Sequence, residues 1–162
     1  MGNSVKTDPI TTTYDFEAYP LGTEYVQSAD ENNAANSTHY GPKTWVFILA
    51  EAVIAEGTLV ELAADEAPFN GIICATEATP AGNLIGVGGH AIASGKYGWV
   101  VKNGICECLS SDGGIQAREA LVSHTSGAVD TFADGEEEGV IGVALHDDGS
   151  AAGLFTCKIF IP

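Results

Sequence analysis

The stretch GVGGHAIASGKYGWVVKNGICECL, residues 86–109, decides how the rest of the chain is read. Asn103-Gly104, near its middle, stands between two runs of strand-forming residues, 99–102 and 105–109. An Asn-Gly pair so flanked predicts a two-residue type I′ hairpin turn, because both turn residues need positive φ and these two tolerate it best. In the register that such a turn sets, Lys102 opposes Ile105, Val101 opposes Cys106, Val100 opposes Glu107 and Trp99 opposes Cys108. The two-residue period of a strand then puts Trp99, Val101, Cys106 and Cys108 on one face, the expected core face. Upstream, Gly86, Gly88, Gly89, Gly95 and Gly98 come too densely for a helix, where each would cost about 1 kcal/mol relative to alanine. They suit tight bends and close backbone approach in a small barrel, so the expected centre of the protein is sheet.

The same texture extends to both sides. Residues 44–50, 58–62, 71–75, 84–93, 97–102, 105–110, 121–124, 140–145 and 154–161 are short β-compatible runs with Gly, Pro, Asn and Asp between them. About nine strands of this kind predict an all-β fold, a small antiparallel barrel or sandwich. Residues 47–55 and 61–67 are rich in Ala, Leu and Glu, but Gly57 and Pro68 confine any helix to a couple of turns, so at most one or two short helices are expected. Residues 140–145 and 154–161 flank the loop HDDGSAAG and are apolar on both faces, as central strands are, which predicts a buried carboxy terminus. Residues 1–44 differ, being rich in Thr, Asn, Ser, Tyr and Pro with no sustained period. They are expected to form an extended amino-terminal arm and loop, with residues 28–42 as loop, and residues 45–162 a single β domain. Tyr14, Phe16, Tyr19 and Tyr25 alternate with polar residues along the arm, which either packs on its own domain or grips a partner.

A chain of 162 residues hides roughly two-thirds of its extended surface on folding, enough for a core without staples. Twenty-two acidic residues against six basic ones give a net charge of −16, a surface that repels phosphate backbones and anionic headgroups, so neither nucleic acid nor membrane is an expected partner. The acidity serves solubility or draws a basic partner. The amino terminus lacks the apolar segment of a secretory signal, and the run 45–50 is too short to span a bilayer. Lys6 stands where a myristoylation pattern starting at Gly2 needs Ser or Thr. The four cysteines are expected as buried free thiols, because Cys106 and Cys108 share a face and a chain this size needs no disulfides.

Motifs for chemistry are weak. GVGGHA at 86–91 fits a loose dinucleotide loop, but Gly95 and Gly98 follow where a long helix would have to receive the pyrophosphate. His39, His90, His124 and His146 are scattered, and Cys106-Glu107-Cys108 lacks a second pair for zinc. Glu136-Glu137-Glu138 and Asp147-Asp148 lack the alternating oxygen ligands of a calcium loop. No Ser lies in a G-x-S-x-G elbow. No catalytic residue, metal ligand or cofactor is expected, and the protein is not expected to be an enzyme.

Pro20-Leu21-Gly22-Thr23, then 41–48 (GPKTWVFI) leading to 55–60 (AEGTLV), then 93–101 (ASGKYGWVV) followed by Asn103-Gly104, and 138–145 (EGVIGVAL) form a recurring set. In these motifs, spread over residues 18–162, the chain resembles capsid decoration (cement) proteins of tailed bacteriophages. The resemblance implies a compact barrel or tulip-like β domain without enzyme activity, made in the host cytoplasm and seated as trimers or other clusters on the outer capsid surface. The implied partners are the major capsid protein and further copies of the chain. Tyr14, Phe16, Tyr19 and Leu21 are the expected capsid or subunit contacts, aromatic anchors being enriched at interfaces. The strong acidity and the long polar loop depart from the family pattern. The alternative from another class is a surface-displayed module recognising a carbohydrate or host surface through loops 146–153 and 70–73. That reading requires Trp45 or Trp99 on an open stacking platform, whereas both are expected to be covered.

Overall fold

The computed structural model describes residues 10–35, 41–63, 68–133 and 135–162. Among them are ten strands: β1 Glu24–Gln27, β2 Lys43–Ala50, β3 Leu59–Leu62, β4 Asn70–Ile73, β5 Leu84–Gly88, β6 Lys96–Leu109, β7 Ala120–Ser123, β8 Val129–Thr131, β9 Val140–Ala144 and β10 Leu154–Phe160. One α-helix, α1 Ala29–Ala35, and three single 3₁₀ turns complete the described elements, so the fold is all-β.

The strands form two small rings that share β6. In the first, β2 pairs with β4, β4 with β3, β3 with β5, β5 with β6 and β6 back with β2. In the second, β6 pairs with β10, β10 with β9, β9 with β7 and β7 with β8, and a parallel bridge between Val129 and Ser110 returns to the end of β6. The first ring is filled by Val46, Ile48, Ala50, Ile54, Val60, Ile85, Ile92 and Val100, none larger than isoleucine. Its bore is narrow enough that a Cβ on Gly88 would lie 2.3 Å from the backbone oxygen of Ala55. At Gly86, Gly88, Gly89 and Gly98 a Cβ would meet another atom within 3 Å, so four of the five glycines in 86–98 answer a barrel too tight for side chains there, while Gly95 is needed for its positive φ of 76°.

The hairpin expected at Asn103-Gly104 is not there. β6 runs through both residues as one 14-residue strand, with Asn103 paired to Thr44 and Phe160 and Gly104 paired to Ile159. Each flanking run found a partner elsewhere, the first on β2 and the second on β10, and that long-range pairing overrode the local turn preference. The positive φ of Gly104, 125°, is used instead in an irregularity, where the register steps from Thr44–Asn103 to Trp45–Val101. A regular strand would send Trp99 and Val101 to one face and Cys106 and Cys108 to the other. The slip, which skips Lys102, brings all four into one buried cluster, together with Phe47, Leu121, Phe155 and Ile159.

Two of the nine expected runs are therefore one strand, and β1 and β8 are additions. The helix-competent run 47–55 holds no helix, its first four residues ending strand β2, while the one α-helix falls in residues 28–42, which were expected to be loop. β10 lies between β6 and β9, yet its exposure alternates, so one of its apolar faces is bare and not buried as expected. Ile161 beyond it is buried and donates its N–H to the Lys102 carbonyl.

Candidate interaction surfaces

Residues 14–27 are strapped to the first ring. Tyr14 exchanges backbone hydrogen bonds with Tyr97 at 2.9 and 3.0 Å, Asp15 pairs with Lys96, Glu24 pairs with Lys102 at 2.9 Å, and β1 adds to the edge of β2. The Gly22 N–H donates to the Phe47 carbonyl, and the Phe47 N–H donates to Thr23. These contacts fix the backbone that carries the aromatic side chains. Tyr14 and Tyr19 set their rings edge-on to Phe47 at 5.9 and 5.3 Å, Tyr19 reaches Trp99 at 5.2 Å, and Tyr25 covers Trp99 from the other side at 6.2 Å. Leu21 packs on the same cluster, and its N–H donates to Glu17. Of the four residues expected to touch a partner, Tyr14, Tyr19 and Leu21 therefore face the protein's own core, and Phe16 turns outward with 67% of its surface exposed.

Trp45 and Trp99 are buried, at 4% and 1% exposure, so neither ring offers the stacking platform a carbohydrate module needs. Asn70–Ile73, one of the loops proposed for that module, is strand β4. In the other, Asp147 and Asp148 accept the backbone N–H groups of Ala117 and Gly114 at 2.7 Å, so these carboxylates brace loops. His124 Nε2 lies 2.9 Å from the Glu77 carboxylate, which accepts from it, and His39 lies outside the described residues. No group of three or more His, Cys, Asp or Glu among the described residues is arranged to hold a metal ion. No described helix is long and apolar enough to cross a membrane. GVGGHA ends strand β5, and no helix follows before β6.

The four cysteines are free and buried. Cys106 faces Cys157 across β6 and β10. Cys108 is hydrogen-bonded with Cys106 and Cys157 and fully enclosed, which pushes its thiol well above the usual range; burial raises that of Cys74. Such thiols are poor nucleophiles.

At the seam between the rings lies a cavity of about 180 Å³, lined by Lys43, Trp45, Gln27, Asn32, Glu56 and Glu107 among others. The Trp45 Nε1–H donates to Gln27 at 3.1 Å, and the Lys43 ammonium lies 5.7 Å from the Trp45 ring centre. Lys43 is buried, and desolvation lowers its pKa against the opposing pull of Cys106 and Glu107. Nearby, Ser28 and Glu31 form a reciprocal cap: the Glu31 N–H donates to Ser28 Oγ at 3.2 Å and the Ser28 N–H to Glu31 Oε2 at 2.9 Å. The cap holds the Glu31 carboxyl below the usual range and starts α1. The S-x-x-E spacing that signals it is present in SADE, residues 28–31.

The surface that residue patterns missed is the outer face of β10. Leu154 and Phe160 are 49% and 45% exposed and Lys158 stands between them. The apolar pattern of 154–161 was the signal, but apolarity alone does not tell an inner face from a docking face.

No family model and no curated protein matches this sequence. Among solved structures, the fold is similar to the head fiber gp8.5 N base of bacteriophage phi29. The match has a TM-score of 0.54 and 16% sequence identity, covering 71% of this chain and 92% of that chain.

Proposed function

We propose that this protein is a structural component of a tailed-phage virion, one that decorates the outer surface of the head and stabilises it by bridging neighbouring major capsid proteins. The observation that carries this reading is the likeness of fold to the base of a phage head fiber, which takes in nearly all of that chain. The motifs shared with decoration proteins point the same way. A net charge of −16 suits a subunit that must stay soluble before assembly and be repelled by the packaged DNA. The role is passive, without catalysis, metal or cofactor, and copies act together, as a homotrimer. Stabilisation follows from mass action: subunits that bind only the expanded lattice deepen its free-energy well and raise its resistance to heat and internal pressure. The strapped segment narrows the contact reading to Phe16, presented outward by Tyr14 and Tyr19, which anchor it on the first ring.

The test is addition of purified protein to empty heads that lack it. Saturable binding at a fixed ratio to the major capsid protein is expected, with Phe16→Ser lowering occupancy while the melting temperature of the free protein stays unchanged. Heads that take up none of the wild-type protein would overturn the proposal.

A further inference from the structure

β10 is paired along its whole length with β6 and over Cys157–Ile159 with β9, so what docks on its outer face meets mainly side chains. The register defines that surface. Leu154 lies beside Leu109, Lys158 lies between Ile105 and Val143, and Phe160 closes the row opposite Asn103. Its charge differs from the average of the molecule. In a chain of net −16, the ionised groups on these rows are Lys158 and Glu107, one of each sign, and Glu107 accepts a hydrogen bond from Thr156 Oγ1 at 3.2 Å.

We infer that this face is where a second copy of the chain seats. Two bodies of charge −16 repel wherever acid-bearing surfaces approach within the Debye length, about 8 Å at physiological ionic strength. On a face of no net charge that repulsion is small, and here apolar side chains at nearly half exposure have surface to bury. A basic partner would be steered to the acid-rich surfaces instead. The inference rests on the clustering of copies in the proposed function and names the surface that does it.

Sedimentation velocity of the full chain, without any capsid, tests it. The wild type is expected to sediment above its 16.7 kDa monomer mass and to associate more tightly as salt is raised, since screening removes repulsion between like-charged bodies. The double variant Leu154→Glu, Phe160→Glu is expected to run as monomer with an unchanged strand signal by circular dichroism. The single reversal Lys158→Glu, which alters no apolar group, should weaken association about tenfold. Phe16→Glu should leave it intact. A monomeric wild type at high micromolar concentration, association that weakens with salt, or a folded double variant that still associates would overturn the inference. An oligomer built through this face that fails to bind heads would sink the head reading alone.

Discussion

The two rings share a strand and have the same number of strands, yet they use their faces differently. The first is covered on both sides: its bore holds small aliphatic residues, and Phe47 and Trp99 on its outer side are roofed by Tyr14, Tyr19 and Tyr25. The second is filled on the inside by Cys106, Cys108, Leu121, Phe155, Cys157 and Ile159, but it leaves the outer side of β10 bare. A ring sealed on both faces contributes stability and, beyond that, only what its strap presents, here the exposed Phe16. A ring with one face left open has a surface free for assembly, and in an acidic protein the low charge of that face determines which partner it suits.

Removing the roof is the most severe way to break this contrast. Deletion of residues 1–25 would strip Tyr14, Tyr19, Leu21 and Tyr25 from the first ring. Large apolar side chains contribute about 1.5–3 kcal/mol each when fully buried, so even partial burial of four sums to on the order of 5 kcal/mol, comparable with the whole stability of a domain. The truncated protein is expected to lose its cooperative thermal transition by circular dichroism. If the truncated chain melts like the full one, the first ring is not held by its cover and the distinction between the rings falls.

A milder pair of substitutions measures the contrast directly. Gly88→Ala places a methyl 2.3 Å from a backbone oxygen that no rotamer change can move, and overpacking of this kind costs roughly 2–3 kcal/mol. Phe160→Thr on the open face of the second ring keeps strand propensity and should shift stability by less than about 0.5 kcal/mol. Urea denaturation of the two variants compares them. Equal losses would mean that the outer face of β10 is packed as tightly as the bore of the first ring.

Much of this architecture was legible in the residues, and the failures have physical causes. Residues 44–50 read as a strand because an unbroken apolar run can be buried on both faces, which is what β2 does. Asn103-Gly104 misled because a turn preference is local, whereas β2 and β10 each offered a full ladder of backbone hydrogen bonds. β8 has three residues, too few to show a period, and β1 lay inside a segment whose composition resembles loop. The alternation of aromatic and polar residues in 14–25 was visible, and Tyr14, Tyr19 and Tyr25 do contact one cluster, whereas Phe16 is exposed. Alternation carries no information on whether the surface contacted belongs to the same chain, and for Tyr14, Tyr19 and Leu21 it does. β10 shows the same ambiguity in reverse, since its second apolar face looked like core and is open.

The seam between the rings yields the smallest expected effect and the sharpest sign. Lys43 is buried beside Trp45, and desolvation, only partly opposed by Cys106 and Glu107, holds its pKa below the usual lysine value. The unfolded chain keeps that proton up to about pH 10.4, whereas the folded protein releases it sooner. Between those two points the unfolded state binds more protons, so this residue makes stability rise with pH across that window. Below it, the folded state carries the full cost of an enclosed ammonium. Lys43→Met keeps the packed stem and removes the charge, so near neutral pH the variant should be more stable by about 1 kcal/mol, or about 2–4 °C in Tm. The advantage should shrink as the pH rises through the lowered folded-state value, where the wild-type side chain loses its charge while still folded. Comparing the two proteins at each pH cancels the titration of the cysteines and tyrosines that they share. A variant less stable than the wild type at neutral pH would mean that the ammonium at the seam is answered by the carboxylates around it, and that the two rings are joined by charge and not merely by the strand they share.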